Sequence, residues 1–220
     1  MKCRARGAEV PNTSATARRG GRPALEEAAQ LTAAILAAAE VAFLAEGFSR
    51  ASITSIATAA GTSKQTVHAR FGSKERLFIA VSNKLLSGRF VARAPKGMSL
   101  RDSLVHVAIQ TLDAMLDSKM VMMNRIIVGE AERFPELARL ADDDSSFPGR
   151  ALVQQLLSNA AEGGELACDD PHRAMLMLLD LVLATPLRRA ARDPRGISSA
   201  ERHEWAARAV DLFLDGMRPR

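Results

Sequence analysis

Between Ser52 and Lys74 the apolar positions fall into two short helical patterns separated by a glycine. Ile53, Ile56, Ala57 and Ala60 recur at three- and four-residue spacing, which is one face of a helix. Gly61 follows, a residue free to take the left-handed backbone conformation of a tight turn. Thr62 and Gln65 then form a T-x-x-Q capping signature for a second helix over about 63–70. Its only large apolar anchors are Val67 and Phe71. Lys64, Gln65, Thr66, His68 and Arg70 are left to face outward. Ser73-Lys74-Glu75 opens a third helix with Ser73 as N-cap. Two short helices on a glycine turn, the second poor in core residues and rich in donors, describe a helix-turn-helix.

The same periodicity organises the rest of the chain. Upstream, a helix over 25–46 carries the stripe Leu31, Ile35, Ala38, Ala42 and Ala45 with Phe43 beside it, and Gly47 just past its end. Downstream, 74–91 carries Leu77, Phe78, Val81, Leu85 and Leu86. Gly88 and Ala94-Pro-Lys-Gly97 mark a boundary. Further helices are expected at 99–116, 119–132, 149–162, 171–190 and 198–217, with Pro135 breaking the second and Asp142-Asp143-Asp144 in a loop. Ser198-x-x-Glu201 is a capping box. The fold class is therefore all-α: an arm at 1–24, a three-helix domain at 25–92, and a larger helical domain at 95–217.

Composition agrees with helices: alanine and leucine abound and tyrosine is absent. Charge adds an asymmetry. Residues 1–93 hold 14 basic and 6 acidic side chains, whereas 94–220 hold 16 and 19, so the +5 total hides a basic N-terminal third. That distribution suits a nucleic-acid-facing module carried by a different one. Arg18, Arg19 and Arg22 lie in an arm of low-complexity composition, expected to be disordered, which fits a solvated tail or a basic strand along DNA. Cys3 and Cys168 form no C-x-x-C pattern. No uninterrupted apolar run approaches the ~20 residues of a membrane span, and the run around Leu178 is broken by Asp180. A cytoplasmic location and no membrane partner are expected.

A helix in the major groove meets base-edge acceptors and phosphate oxygens, so its outer face needs long donors and small hydroxyls. Lys64 and Gln65 are long enough to read bases; Thr54, Ser63, Thr66, His68, Arg70 and Lys74 suit phosphate and positioning contacts. From spacing alone a solvated polar face fits equally well. Residues 20–92 also resemble the N-terminal domain of the TetR family of transcriptional regulators. The resemblance rests on Gly21-Arg22-Pro23, Phe43…Gly47-Phe48, Ser52-Ile53…Ile56-Ala57…Ala60-Gly61, Ser63-Lys64-Gln65-Thr66-Val67 and Phe71-Gly72-Ser73-Lys74-Glu75…Leu77. His68 stands where that family usually has tyrosine, which puts that residue's phosphate contact in question. Glu130-Ala-Glu-Arg133-Phe134-Pro135-Glu136-Leu137-Ala138 is similar to one type of C-terminal domain of the same family.

The resemblance implies a homodimer formed through the last two helices, bound to a palindromic operator in double-stranded DNA. It also implies a small, largely apolar effector held within 99–183. Met115, Met122, Ile126, Phe134, Leu152 and Leu179 are the candidate lining, and methionines there serve equally as adaptable pocket walls or core filler. His106 and His172 fit surface or core roles as well as ligand contacts, and Asp142–144 reads as a solvated loop. No G-x-S-x-G, Walker loop, H-x-x-x-H or Rossmann fingerprint occurs, so no enzymatic activity, cofactor or metal is expected. The leading reading is a repressor released by a small ligand. The alternative is an architectural or partner-recruiting DNA-binding protein without an effector.

Overall fold

Ten helices and no strand occur among the residues that the computed structural model describes, 22–87, 97–141, 148–193 and 196–218. Residues 1–21 of the arm, with Arg18 and Arg19, the 88–96 boundary and Asp142–144 lie outside them, whereas Arg22 to Ala24 of the expected arm already belong to the first helix. Helix α1 (Arg22–Arg50) starts earlier than its periodicity suggests and is interrupted at Gly47, whose φ of 78° and ψ of 177° leave the helical region. One further turn, closed by Ala51 N–H on the Gly47 carbonyl at 3.3 Å, carries Phe48 into the core. The buried line of α1 is Ile35, Ala39 and Phe43; Ala38 and Ala42 flank it half-buried, and Ala45 is exposed. The expected stripe was thus rotated by about one residue, because small alanines on every side leave the choice of face to the large residues.

α2 (Ile53–Ala59) is capped by Ser52, whose hydroxyl accepts from Thr54 N–H. It ends in a Schellman motif: Gly61 N–H donates to the Thr58 carbonyl at 3.1 Å and Thr62 N–H to Ala57 at 2.9 Å, with Gly61 at φ 67°. That geometry consumes Thr62 as the end of α2. The cap of α3 (Lys64–Phe71) is therefore Ser63, one residue later than the T-x-x-Q signature indicates. α4 (Lys74–Ser87) opens on Ser73, whose hydroxyl accepts from Arg76 N–H.

In the larger domain α5 (Leu100–Met115), α6 (Ser118–Glu130), α8 (Pro148–Glu162), α9 (Pro171–Arg192) and α10 (Ser199–Gly216) occupy the expected places. The Ser198–Glu201 capping box is complete. Pro135 does more than break the pattern: it starts the short helix α7 (Pro135–Ala141), a position where a missing N–H is harmless, and Leu137 there is fully buried. α10 packs along α5, α8 along α9, and α1 along α4. One apolar core runs without a break from Ile35 in the small domain to Phe213 in α10.

The two domains are joined by specific ties as well as by that core. Phe43, Phe48 and Phe78 form an aromatic cluster, and Phe134, from the turn before α7, stacks edge-on against Phe48 at 4.9 Å. Glu40 of α1 takes ion pairs from Lys84 of α4 and Lys119 of α6. Leu25–Arg50 is the one described stretch long and apolar enough by composition to cross a membrane. Its fully buried Ile35–Ala39–Phe43 edge and its ion-paired Glu40 are those of a core helix.

Candidate nucleic-acid interface and ligand cavity

α3 is held from beneath and left open above. Val67 is buried and Phe71 half-buried, while Lys64, Gln65 and His68 are exposed. The side chains of Lys64 and Gln65 have no hydrogen-bond or ion-pair partner among the described residues. They sit on the first turn of α3, where the amides of N1 and N2 are also unsatisfied and the helix dipole favours an anion. Ser63 Oγ accepts from Thr66 N–H at 3.1 Å and lies 2.9 Å from Thr66 Oγ1, so this hydroxyl pair first of all caps the helix. Thr54, exposed on the first turn of α2, keeps its hydroxyl free among the described residues.

The cationic candidates divide. Arg70 is tied to α1, where one guanidinium nitrogen donates to the Ala28 carbonyl at 3.2 Å and to Thr32 Oγ1 at 2.8 Å. That bond fixes α3 against α1 and leaves its other nitrogens unpaired among the described residues. Lys74 points back into the domain: its Nζ donates to the Ser49 carbonyl at 3.1 Å and lies 4.7 Å above the Phe48 ring. Burial pushes the Lys74 ammonium below its usual pKa, against the opposing pull of Glu75, Glu130 and Glu46. Lys74 therefore anchors the α1 kink, and a phosphate contact would compete with that. His68 Nδ1 donates to the Gly72 carbonyl at 3.2 Å, since a carbonyl only accepts. The ring thus closes the C-terminus of α3 and turns Nε2 outward.

Sequence reasoning missed Ser49 altogether. Its amide and hydroxyl donate to the two oxygens of Glu130 at 3.2 and 2.9 Å, its carbonyl accepts from Lys74, and its hydroxyl accepts from Arg133. No motif announces this hub, because Glu130 is 81 residues away.

A cavity of about 300 Å³ lies between the larger domain and α4, lined from α4, α5, α6, α7, α8 and α9. Of the six expected lining residues, Met115 and Leu179 line it. The other four do not. Met122 faces outward at 38% exposure, Ile126 and Leu152 pack on the core from other faces of their helices, and Phe134 is taken by the aromatic cluster. Ile79, Leu86, Met120, Ile127 and Leu183 are among the other apolar residues of the wall, with Ser82, Asn83, Asn124, Arg150 and Asp180 as its polar members. His106 lies 2.8 Å from Gln110 on its own helix, away from this wall. Among the described residues no three His, Cys, Asp or Glu side chains converge to hold a metal ion.

Comparison with known proteins accounts for both halves. Residues 35–81 match the family model for bacterial regulatory proteins of the tetR family, and 102–216 match the C-terminal domain of AefR-like transcriptional repressors. The chain belongs to the TetR family of transcriptional regulators. Among solved structures, the flavonoid-responsive regulator FrrA is 31% identical, with a TM-score of 0.66 over 87% of this chain and 99% of that one. A TetR-family regulator from Mesorhizobium loti is 26% identical, with a TM-score of 0.66 over 87% and 98%. One from Agrobacterium tumefaciens, 22% identical with a TM-score of 0.68 over 87% and 95%, shares the fold. No match was found among curated protein sequences. TetR-family regulators are DNA-binding proteins and not enzymes.

Proposed function

We propose that this TetR-family protein is a cytoplasmic, homodimeric repressor that binds an inverted repeat and is released from it by a small molecule. The observation that carries the DNA-reading half is the pair Lys64 and Gln65: exposed, unpartnered, and on the first turn of a helix whose other contacts are spent holding it in place. Thr54, Ser63, Thr66, His68 and Arg70 position the helix on the phosphates, with Lys74 supporting it from within. Met177 and Leu181 on α9 and Leu212 on α10 leave apolar surface exposed, which supports a subunit interface through these two helices. Two α3 helices would then enter major grooves about 34–36 Å apart.

The cavity supports the effector half. An architectural protein without an effector needs no such space, and a filled core would have favoured that alternative. FrrA is a flavonoid-responsive regulator, so flavonoids are the first effector class to try in a release assay. The DNA-reading claim is tested by selecting bound sequences from a random duplex pool with the purified protein at fixed moderate salt. An enriched inverted repeat is the expected result. Retention without enrichment would leave only phosphate-driven binding and favour the architectural reading.

A further inference from the structure

The apolar wall of the cavity is interrupted by groups the fold does not use. Asn83 of α4, Asn124 of α6 and Asp180 of α9 line it from three different helices. None of these side chains has a hydrogen-bond or ion-pair partner among the described residues. Ser82, on the same wall, is satisfied: its hydroxyl donates to the Phe78 carbonyl at 3.3 Å. Arg150 supplies a positive charge and already has a partner in the protein.

Polar groups facing apolar space are costly when water is displaced without replacement of its hydrogen bonds. A pure hydrocarbon filling this cavity would cover the half-buried Asn83 and Asn124 carboxamides without replacing their water, while Asp180, exposed at the rim, would meet an end of the ligand. A carboxylate ligand would face Asp180, and Arg150, the only cation on the wall among the described residues, already has a partner. An ammonium could pair with Asp180 but, having no acceptor, would leave the N–H groups of the Asn83 and Asn124 carboxamides without a partner. What remains is a ligand whose body is apolar and whose ends donate and accept hydrogen bonds without net charge.

We infer that the cavity takes an uncharged, mainly apolar molecule carrying at least two hydroxyl groups, one donating to Asp180 and another exchanging hydrogen bonds with the Asn83 and Asn124 carboxamides. This rests on the effector reading of the cavity and specifies its chemistry. Met115 and Met120 let the wall adapt to the shape of the body.

The test is equilibrium dialysis of the full-length protein against four biphenyls of matched shape: the 4,4′-diol, the unsubstituted hydrocarbon, the 4,4′-dicarboxylate and the 4,4′-bis(aminomethyl) compound. The diol should bind at least tenfold more tightly than any of the other three. Asn83→Leu, Asn124→Leu and Asp180→Asn should each weaken the diol severalfold and leave the hydrocarbon unchanged, a split that a merely structural effect would not produce. Hydrocarbon binding as tight as diol binding, or preference for either charged compound, would overturn the inferred chemistry while leaving the cavity a ligand site. Retention of none of the four at millimolar concentration would overturn the effector reading and the inference with it.

Discussion

Pro186 sits inside α9 without an N–H to give, so the Val182 carbonyl four residues earlier lacks its helical donor. The Trp205 indole of α10 supplies one at 3.0 Å. A single hydrogen bond thereby turns a helix defect into a joint between the two helices proposed to form the subunit interface. Trp205→Phe should lower stability by about 1–3 kcal/mol, and Pro186→Ala in that background should recover part of the loss, both read by chemical denaturation. A Trp205→Phe protein as stable as wild type would show that the carbonyl is satisfied otherwise. Two glycines make a cleaner comparison. A Cβ at Gly47 or at Gly129 would meet nothing within 4 Å, but only Gly47 has a positive φ. Gly47→Ala should therefore cost about 1–3 kcal/mol through backbone strain alone, whereas Gly129→Ala, inside α6, should stabilise by about 0.5–1 kcal/mol. Calorimetric scans of the two variants must move in opposite directions.

At the scale of elements, most helices and the exposed polar face of α3 were legible in the sequence because they depend on local information: apolar spacing, capping serines and turn glycines. The Ser198–Glu201 box and the Gly47 and Gly61 turns form where those signals stand. What was not legible depends on residues far apart in the chain. Phe134 and Met122 carry the same apolar signal as Met115, and only packing decides that one joins an aromatic cluster, one faces outward and one lines a cavity. Lys74 likewise reads as a free donor until Ser49 and Phe48 are brought beneath it.

The ion pairs that join the domains make a pH prediction. The hydrogen bond from Lys119, aided by Lys84, holds the Glu40 carboxyl below its ordinary pKa of 4.5 despite partial burial. A depressed acid contributes stability that is complete above the unfolded-state value and fades as pH falls through the folded one. Glu40→Gln should then be less stable than wild type by about 1 kcal/mol near neutrality, with the difference closing below pH ~4.5. A gap that persists undiminished in acid would assign the effect to packing instead of charge.

At the scale of the whole molecule, a basic N-terminal domain is fastened to a larger domain, with a cavity between them and an exposed apolar helix pair on the larger one. In the proposed function two subunits are held at a fixed spacing on DNA, so the dimer face and the operator affinity should fail together. Leu181→Arg with Leu212→Arg, both on exposed positions of α9 and α10, should give a monomer by sedimentation and lose most of the affinity for the selected repeat. A dimer that survives these charges would place the interface elsewhere. In the proposed function α3 reads bases while the rest of the domain positions it. That division is tested most directly by titrating wild type and Gln65→Ala on the selected repeat, on variants with one symmetric base pair changed, and on random duplex. Gln65→Ala should lose about 1–3 kcal/mol on the repeat and discrimination at one position per half-site, with random-duplex affinity unchanged. Equal losses on the repeat and on random DNA would contradict that division.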